Sequence, residues 1–101
     1  MTYERIMGID VTDEDEYQKY RNGMTPILES FGGKFGFDMK VSDVLISKSP
    51  DKINRVFTIE FPSQEKMQEF FSDPEYLAVK KRHYYASVKS KTVISLHHKN
   101  T

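Results

Sequence analysis

The sequence predicts an α+β domain of ferredoxin-like plan: strand, helix, strand, strand, helix, strand, with an antiparallel sheet and both helices on one of its faces. Three observations lead there. Apolar residues recur at spacings of three and four in two separate stretches, residues 17–31 and 67–88. Residues 34–41 alternate strictly, as a strand does, and residues 54–61 carry a second such pattern. Between these stretches fall Gly-Gly, Ser-Pro-Asp and Pro-Ser, which punctuate a chain. At 101 residues the chain is near the commonest domain size, so residues 1–101 are read as a single domain on one core.

The first strand covers residues 4–11. Thr12 and Asp13 then open a helix. Asp13 can accept from the free amides of the first turn, and Glu16 three residues on completes a capping-box pattern. The run Asp13, Glu14, Asp15 and Glu16 suits the positive end of the helix dipole better than it suits a metal. Tyr17, Tyr20, Met24, Ile27, Leu28 and Phe31 share the buried face. Pro26 removes a hydrogen bond, so a kink or split near Thr25 is expected. Gly32 and Gly33 end the helix with a left-handed cap.

In the second strand, Phe35, Phe37, Met39 and Val41 face one way, and Lys34, Gly36, Asp38 and Lys40 the other. The strand is expected to run on through Asp43 to Ile46. Ser49, Pro50 and Asp51 mark a turn. The third strand sets Arg55, Phe57, Ile59 and Phe61 against Val56, Thr58 and Glu60. Pro62 stops it and Ser63 caps the next helix, whose apolar face is Met67, Phe70 and Phe71. A second helical piece restarts at Ser72, Asp73 and Pro74. Asp73 serves as its cap, and Pro74 sits where a missing amide costs nothing. Leu77, Lys81, Tyr84 and Val88 line one face of this piece, with Tyr76, Val79 and His83 beside them. Residues 92–98 are the last strand. Both sheet faces carry apolar side chains, and two such sheets packed face to face would cover the second.

Fifteen basic side chains balance fifteen acidic ones, which removes the basic excess that nucleic-acid binding uses. The local run Lys80, Lys81, Arg82 and His83 reads as a solvated helix face. RNA binding on an open sheet would need an exposed aromatic motif that is absent. The chain has no cysteine, which excludes disulfides and thiolate chemistry and fits a cytoplasmic setting. No apolar run is long enough to span a membrane, and Glu4 and Arg5 interrupt the N-terminus as a signal peptide. Gly32-Gly33 follows a helix, the wrong context for a dinucleotide site. Neither a metal nor a cofactor is expected. Seven Phe and six Tyr are many for so short a chain and can anchor a core, an interface or a ligand cavity.

Tyr17 and Tyr20, then Pro26, then Phe31-Gly32-Gly33 resemble the first half of a known family. Phe61-Pro62-Ser63 and then Phe70-Phe71-Ser72-Asp73-Pro74-Glu75-Tyr76 resemble its second half. The chain is similar, over nearly its whole length, to a small bacterial domain family of unknown function. That family belongs to the dimeric α+β barrel superfamily, alongside antibiotic-biosynthesis monooxygenases, muconolactone isomerases and stress-responsive barrel proteins. The resemblance implies a homodimer whose sheets form a joint barrel, with a cavity between sheet and helices.

Two constellations could carry chemistry. Asp38, Glu60 and His97 each lie on the polar parity of a strand. In a suitable register they would meet on one sheet face, where two carboxylates and an imidazole can do acid–base work. The alternative is plain ion pairing of Asp38 and Glu60 with Lys40 or Arg55. The second constellation is Tyr76, Arg82 and His83. Tyr76 and His83 are seven apart and share a face of a regular α-helix, and Tyr20 could point into the same space. Such a group suits an acidic or phenolic ligand, with Tyr20 and Arg82 binding and Tyr76 and His83 acting. Its alternative is amphipathic packing. His97 and His98, adjacent on a strand, face opposite ways and cannot chelate one ion.

Two functions therefore stand side by side. One is a cofactor-independent enzyme, or a binder, for a small acidic or aromatic metabolite. The other is a non-catalytic, stress-associated or structural homodimer. Polar groups converging on a void would favour the first, and a cavity filled by Phe and Tyr the second.

Overall fold

In the computed structural model, which describes residues 2–100, β1 (Thr2–Val11) leads through Asp13 into α1 (Glu14–Ser30). Asp13 Oδ1 accepts from the Glu16 amide at 3.1 Å, so the cap forms as expected. The reciprocal half of the capping box does not. The Glu16 carboxylate turns away to His83 and to Lys19, 3.7 Å off. Nor does Pro26 split the helix, which runs unbroken past it. The carbonyl four residues before Pro26 belongs to Asn22, an exposed residue, so losing one donor there leaves nothing buried and unpaired. Buried Tyr17, Tyr20, Met24 and Leu28 straddle the proline and hold both halves to the core.

Gly32 ends α1 at φ 78°, a conformation that other residues adopt only with strain. Its amide donates to Glu29 and that of Gly33 donates to Leu28, the paired bonds of a Schellman cap.

Strand β2 (Lys34–Lys40) departs from the strict alternation. Phe35 pairs with Ile59 but Asp38 with Phe57, so one extra residue bulges from the ladder. The Phe37 amide donates to Thr58 Oγ1 at 2.8 Å instead of to a carbonyl. A Cβ on Gly36 would lie 2.6 Å from that hydroxyl, so only glycine admits it. The bulge flips the parity. Phe35 and Asp38 face the helices, and Phe37 is left 66% exposed.

The strand also stops short of Ile46. β3 (Arg55–Phe61) begins only after Asn54, so residues 42–46 have no strand to pair with. Asn54 closes this end of the sheet. Its side chain bonds both peptide groups of Val11 (2.8 and 2.9 Å), and its amide donates to Ile9.

Ser63 caps α2 (Gln64–Ser72), and Asp73 caps α3 (Pro74–Val79) by accepting from the Tyr76 amide at 3.0 Å. A π-helical turn (Lys80–Tyr84) and the short α4 (Tyr85–Ser87) follow. β4 (Val88–Lys99) then starts four residues earlier than the sequence suggests. The strands order as β2-β3-β1-β4, all antiparallel, and the helices pack on one face, which is the ferredoxin-like fold. The core lies between. Ile9, Val11, Ile59 and Phe61 from the sheet meet Tyr17, Leu28, Phe70 and Tyr76 from the helices.

Candidate functional site

A cavity of about 290 Å³ opens between the sheet and the helices. Arg5, Met7 and Ile9 of β1 form its floor with Phe57 and Ile59 of β3. Tyr20 and Met24 of α1, and Tyr76, Lys80 and Tyr84 of the C-terminal helical segment, form its walls, with Phe35, Phe71 and Lys91 around them. The lining is apolar and aromatic apart from three phenols and three cations, and it holds no carboxylate.

Arg5 is the anomaly in this lining. It follows the same parity as Met7 and Ile9, so the alternation of β1 drives it under the helices. Its Nε is buried and has no hydrogen-bond partner in the fold. The guanidinium lies on Phe71, 4.5 Å from the ring centroid, and makes no salt bridge among the described residues. Burial pulls the group below its ordinary value, opposed by the phenols of Tyr76, Tyr20, Tyr84 and Tyr3. An arginine stays charged in such a place, and a half-buried guanidinium with one buried nitrogen unbonded bears part of the cost of an unpaired charge.

Tyr20 and Tyr76 share a hydrogen bond between their hydroxyls, 2.8 Å, inside the core. Burial pushes the Tyr20 phenol far above its usual range. It also raises Tyr76, against the hydrogen bond from Tyr20 and the charge of Arg5. Burial lifts Tyr84 to about 12. All three phenols are therefore neutral donors near pH 7. Lys91 sits opposite Ile9 in the ladder and so on the same side of the sheet. Partial burial, then Lys80 and Arg5, hold its amine below the usual lysine range.

The sequence-predicted residues divide. Tyr20 and Tyr76 do meet at this cavity. His83 and Arg82 do not line it: His83 contacts Glu16 on α1, and Arg82 is exposed. The π-turn is the reason. Bonds from i to i+5 widen the turn, so residues seven apart no longer share a face. Spacings of four replace them, and Tyr76, Lys80 and Tyr84 line the cavity instead.

Asp38, Glu60 and His97 are not brought together. The β2 bulge puts Asp38 on the helix side, held by Arg55 (2.9 and 2.8 Å) and by Arg21 (3.0 Å). Glu60 and His97 lie on the opposite face, each beside Glu4 across the ladder. Glu60 pairs with Lys34 and Lys99, and His97 Nε2 with Glu4 at 2.9 Å. Among the described residues no cluster of His, Cys, Asp and Glu could hold a metal. His98 packs edge-on against Tyr3, so the two histidines do face opposite ways.

Sequence reasoning missed Arg5, Lys80 and Lys91. Arg5 did leave a signal: a cation on the otherwise apolar parity of Met7, Ile9 and Val11. Lys80 left one too: it lies four residues after Tyr76, the spacing of one helix face.

Residues 5–95 match a family described as a domain of unknown function, DUF1330. No curated protein matches the chain. Several solved structures resemble it. A protein of unknown function from Rhodopseudomonas palustris, RPA0582, is 21% identical with a TM-score of 0.79, over 92% of this chain and 78% of that one. A DABB family protein of ferredoxin-like fold from Mesorhizobium loti is 13% identical with a TM-score of 0.70, over 99% and 98%. A dimeric protein of unknown function and ferredoxin-like fold from Bacteroides fragilis is 14% identical with a TM-score of 0.54, over 92% of each chain.

Proposed function

We propose that this chain, which belongs to the DUF1330 family of domains of unknown function, binds a small organic acid that carries a ring in the cavity under its helices. The observation that carries the reading is the half-buried guanidinium of Arg5, whose buried Nε has no hydrogen-bond partner, in a cavity lined by two more cations and no acid. A ligand carboxylate supplies the missing anion, and a bidentate arginine–carboxylate contact is among the stronger hydrogen-bonded pairs. Phe35, Phe57 and Phe71 offer surfaces for the ring. Tyr20, Tyr76 and Tyr84 offer hydroxyls to a polar substituent. A cavity of about 150 Å³ already admits benzene, so 290 Å³ suits one substituted ring.

The unit that binds is, on this reading, a cytoplasmic homodimer. Its sheets would meet through the uncovered face, where Phe37 and Met39 are exposed beside Leu45 and Ile46 of the following loop. The dimeric Bacteroides fragilis protein shares this fold. The same exposed apolar residues are what a purely structural homodimer would use, and that is the second reading.

The test is a thermal-shift and calorimetric series with benzoate, phenylacetate and 4-hydroxybenzoate. At least one acid should bind, and Arg5→Met should weaken it by roughly 10–150-fold, since a hydrogen bond to a charged group is worth about 1.5–3 kcal/mol. The variant should melt no lower than the wild type, because it removes a half-buried charge that has no salt-bridge partner among the described residues. Equal affinity in the two proteins, or no response to any acid, would leave the structural dimer as the better account.

A further inference from the structure

We propose that Lys91 is a nucleophilic amine that forms a Schiff base with the carbonyl of a 2-oxo acid held in this cavity; the inference rests on the acid-binding reading above. Three observations carry it. Lys91 lines the same cavity as Arg5, on the strand next to it and on the same side of the sheet, opposite Ile9. A ligand whose carboxylate lies on Arg5 therefore has a primary amine within the same small space. Lys91 has no salt-bridge partner among the described residues, and no carboxylate lines the cavity to hold it as an ammonium ion. The charged groups that do face it, Arg5 and Lys80, both repel a proton on its nitrogen; only the Tyr85 phenol acts the other way. Lys91 is exposed at the edge of the cavity, and a lysine beside other cations is one of the settings in which an amine becomes a nucleophile near neutral pH.

The step balances without any co-reactant. The Lys91 Nζ lone pair attacks the carbonyl carbon, and the C=O π electrons move to oxygen, which takes up a proton. The carbinolamine then loses that oxygen as water, with two hydrogens that came from the amine, and the nitrogen lone pair forms the C=N bond. The neutral phenols of Tyr20, Tyr76 and Tyr84 are the hydroxyls around the cavity through which protons can pass. Arg5 acts here as a positioning residue for the carboxylate and takes no part in the bond changes.

The experiment uses the full chain, with phenylpyruvate as the probe and sodium cyanoborohydride to trap an imine, read by intact mass and peptide mapping. The expected result is a single reduced adduct at Lys91, formed at least about tenfold faster than at any other lysine. Lys91→Arg should abolish it, and Lys91→Met serves as a second variant should the arginine disturb folding. Arg5→Met should slow it at least about tenfold. Labelling spread evenly over surface lysines, or an adduct that persists at the same rate in both Lys91 variants, overturns the proposal. Benzoate binding, measured in parallel, separates the two claims. Benzoate bound without an adduct overturns the role of Lys91 alone. Neither binding nor adduct overturns the acid-binding cavity as well.

Discussion

On the uncovered face of the sheet, charges come in pairs. Glu4 faces Glu60 across the β1–β3 ladder, yet His97 and Lys99 attend the first, and Lys34 and Lys99 the second. Under the helices, Arg5, Lys80 and Lys91 converge with no acid among them. The same face does hold paired charges further out, where Asp38 takes both Arg21 and Arg55. Folding alone thus supplies counter-ions on both sides of this sheet, yet among the described residues none of the three cations at the cavity has a salt-bridge partner. The proposed ligand carboxylate would fill that gap between the aromatic walls.

This contrast can be broken in three ways. The largest effect should come from the uncovered face. If a second copy covers it, Phe37→Glu buries a charge in the joint and should weaken the dimer by about 2 kcal/mol or more, roughly thirtyfold. Sedimentation across a dilution series would show it, and a wild type already monomeric at high concentration would end the idea. A smaller effect belongs to the covered face. Tyr76→Phe leaves the Tyr20 hydroxyl without its 2.8 Å partner, and should lower stability by about 0.5–1.5 kcal/mol in chemical denaturation. No change would mean that water replaces the lost hydroxyl and that the cavity is wetter than its walls suggest.

The subtlest test concerns acid. Burial pushes the Asp38 carboxyl up, but the hydrogen bond from Arg55 and the charges of Arg21 and Arg55 more than offset this and hold it below its usual value. A carboxyl that titrates lower folded than unfolded stabilises the fold above its unfolded value, near pH 4. It loses that contribution as pH falls through the folded one. Asp38→Asn should therefore flatten the fall in stability below about pH 4 relative to the wild type. Parallel acid limbs would show that the pair is too exposed to matter.

The order of elements, both aspartate caps, the serine cap and the glycine stop of α1 were legible because each rests on a local signal. The meeting of Tyr20 and Tyr76, which lie far apart in the chain, was legible from helical periodicity once two helices share one sheet face. What was not legible depends on counting residues. One extra residue in β2 moved Asp38 from the face of Glu60 to the face of Arg21. A widened turn moved His83 out of the cavity. Neither irregularity has a composition of its own. Gly36 is the single residue that hints at one, and it does so only when the Thr58 hydroxyl is known to stand against it.

The π-turn at Lys80–Tyr84 makes one wall of the cavity sensitive to chain length. Loss of one residue there would restore an α-helix and rotate the residues after the turn by about 100° relative to Tyr76. Tyr84 would exchange its place with a neighbour in a single event. Point substitutions alter one wall of the cavity at a time, whereas an insertion or deletion in this turn rewrites its chemistry at a stroke. Chain length at this one turn thus sets which side chains that wall of the cavity presents, independently of substitutions around it.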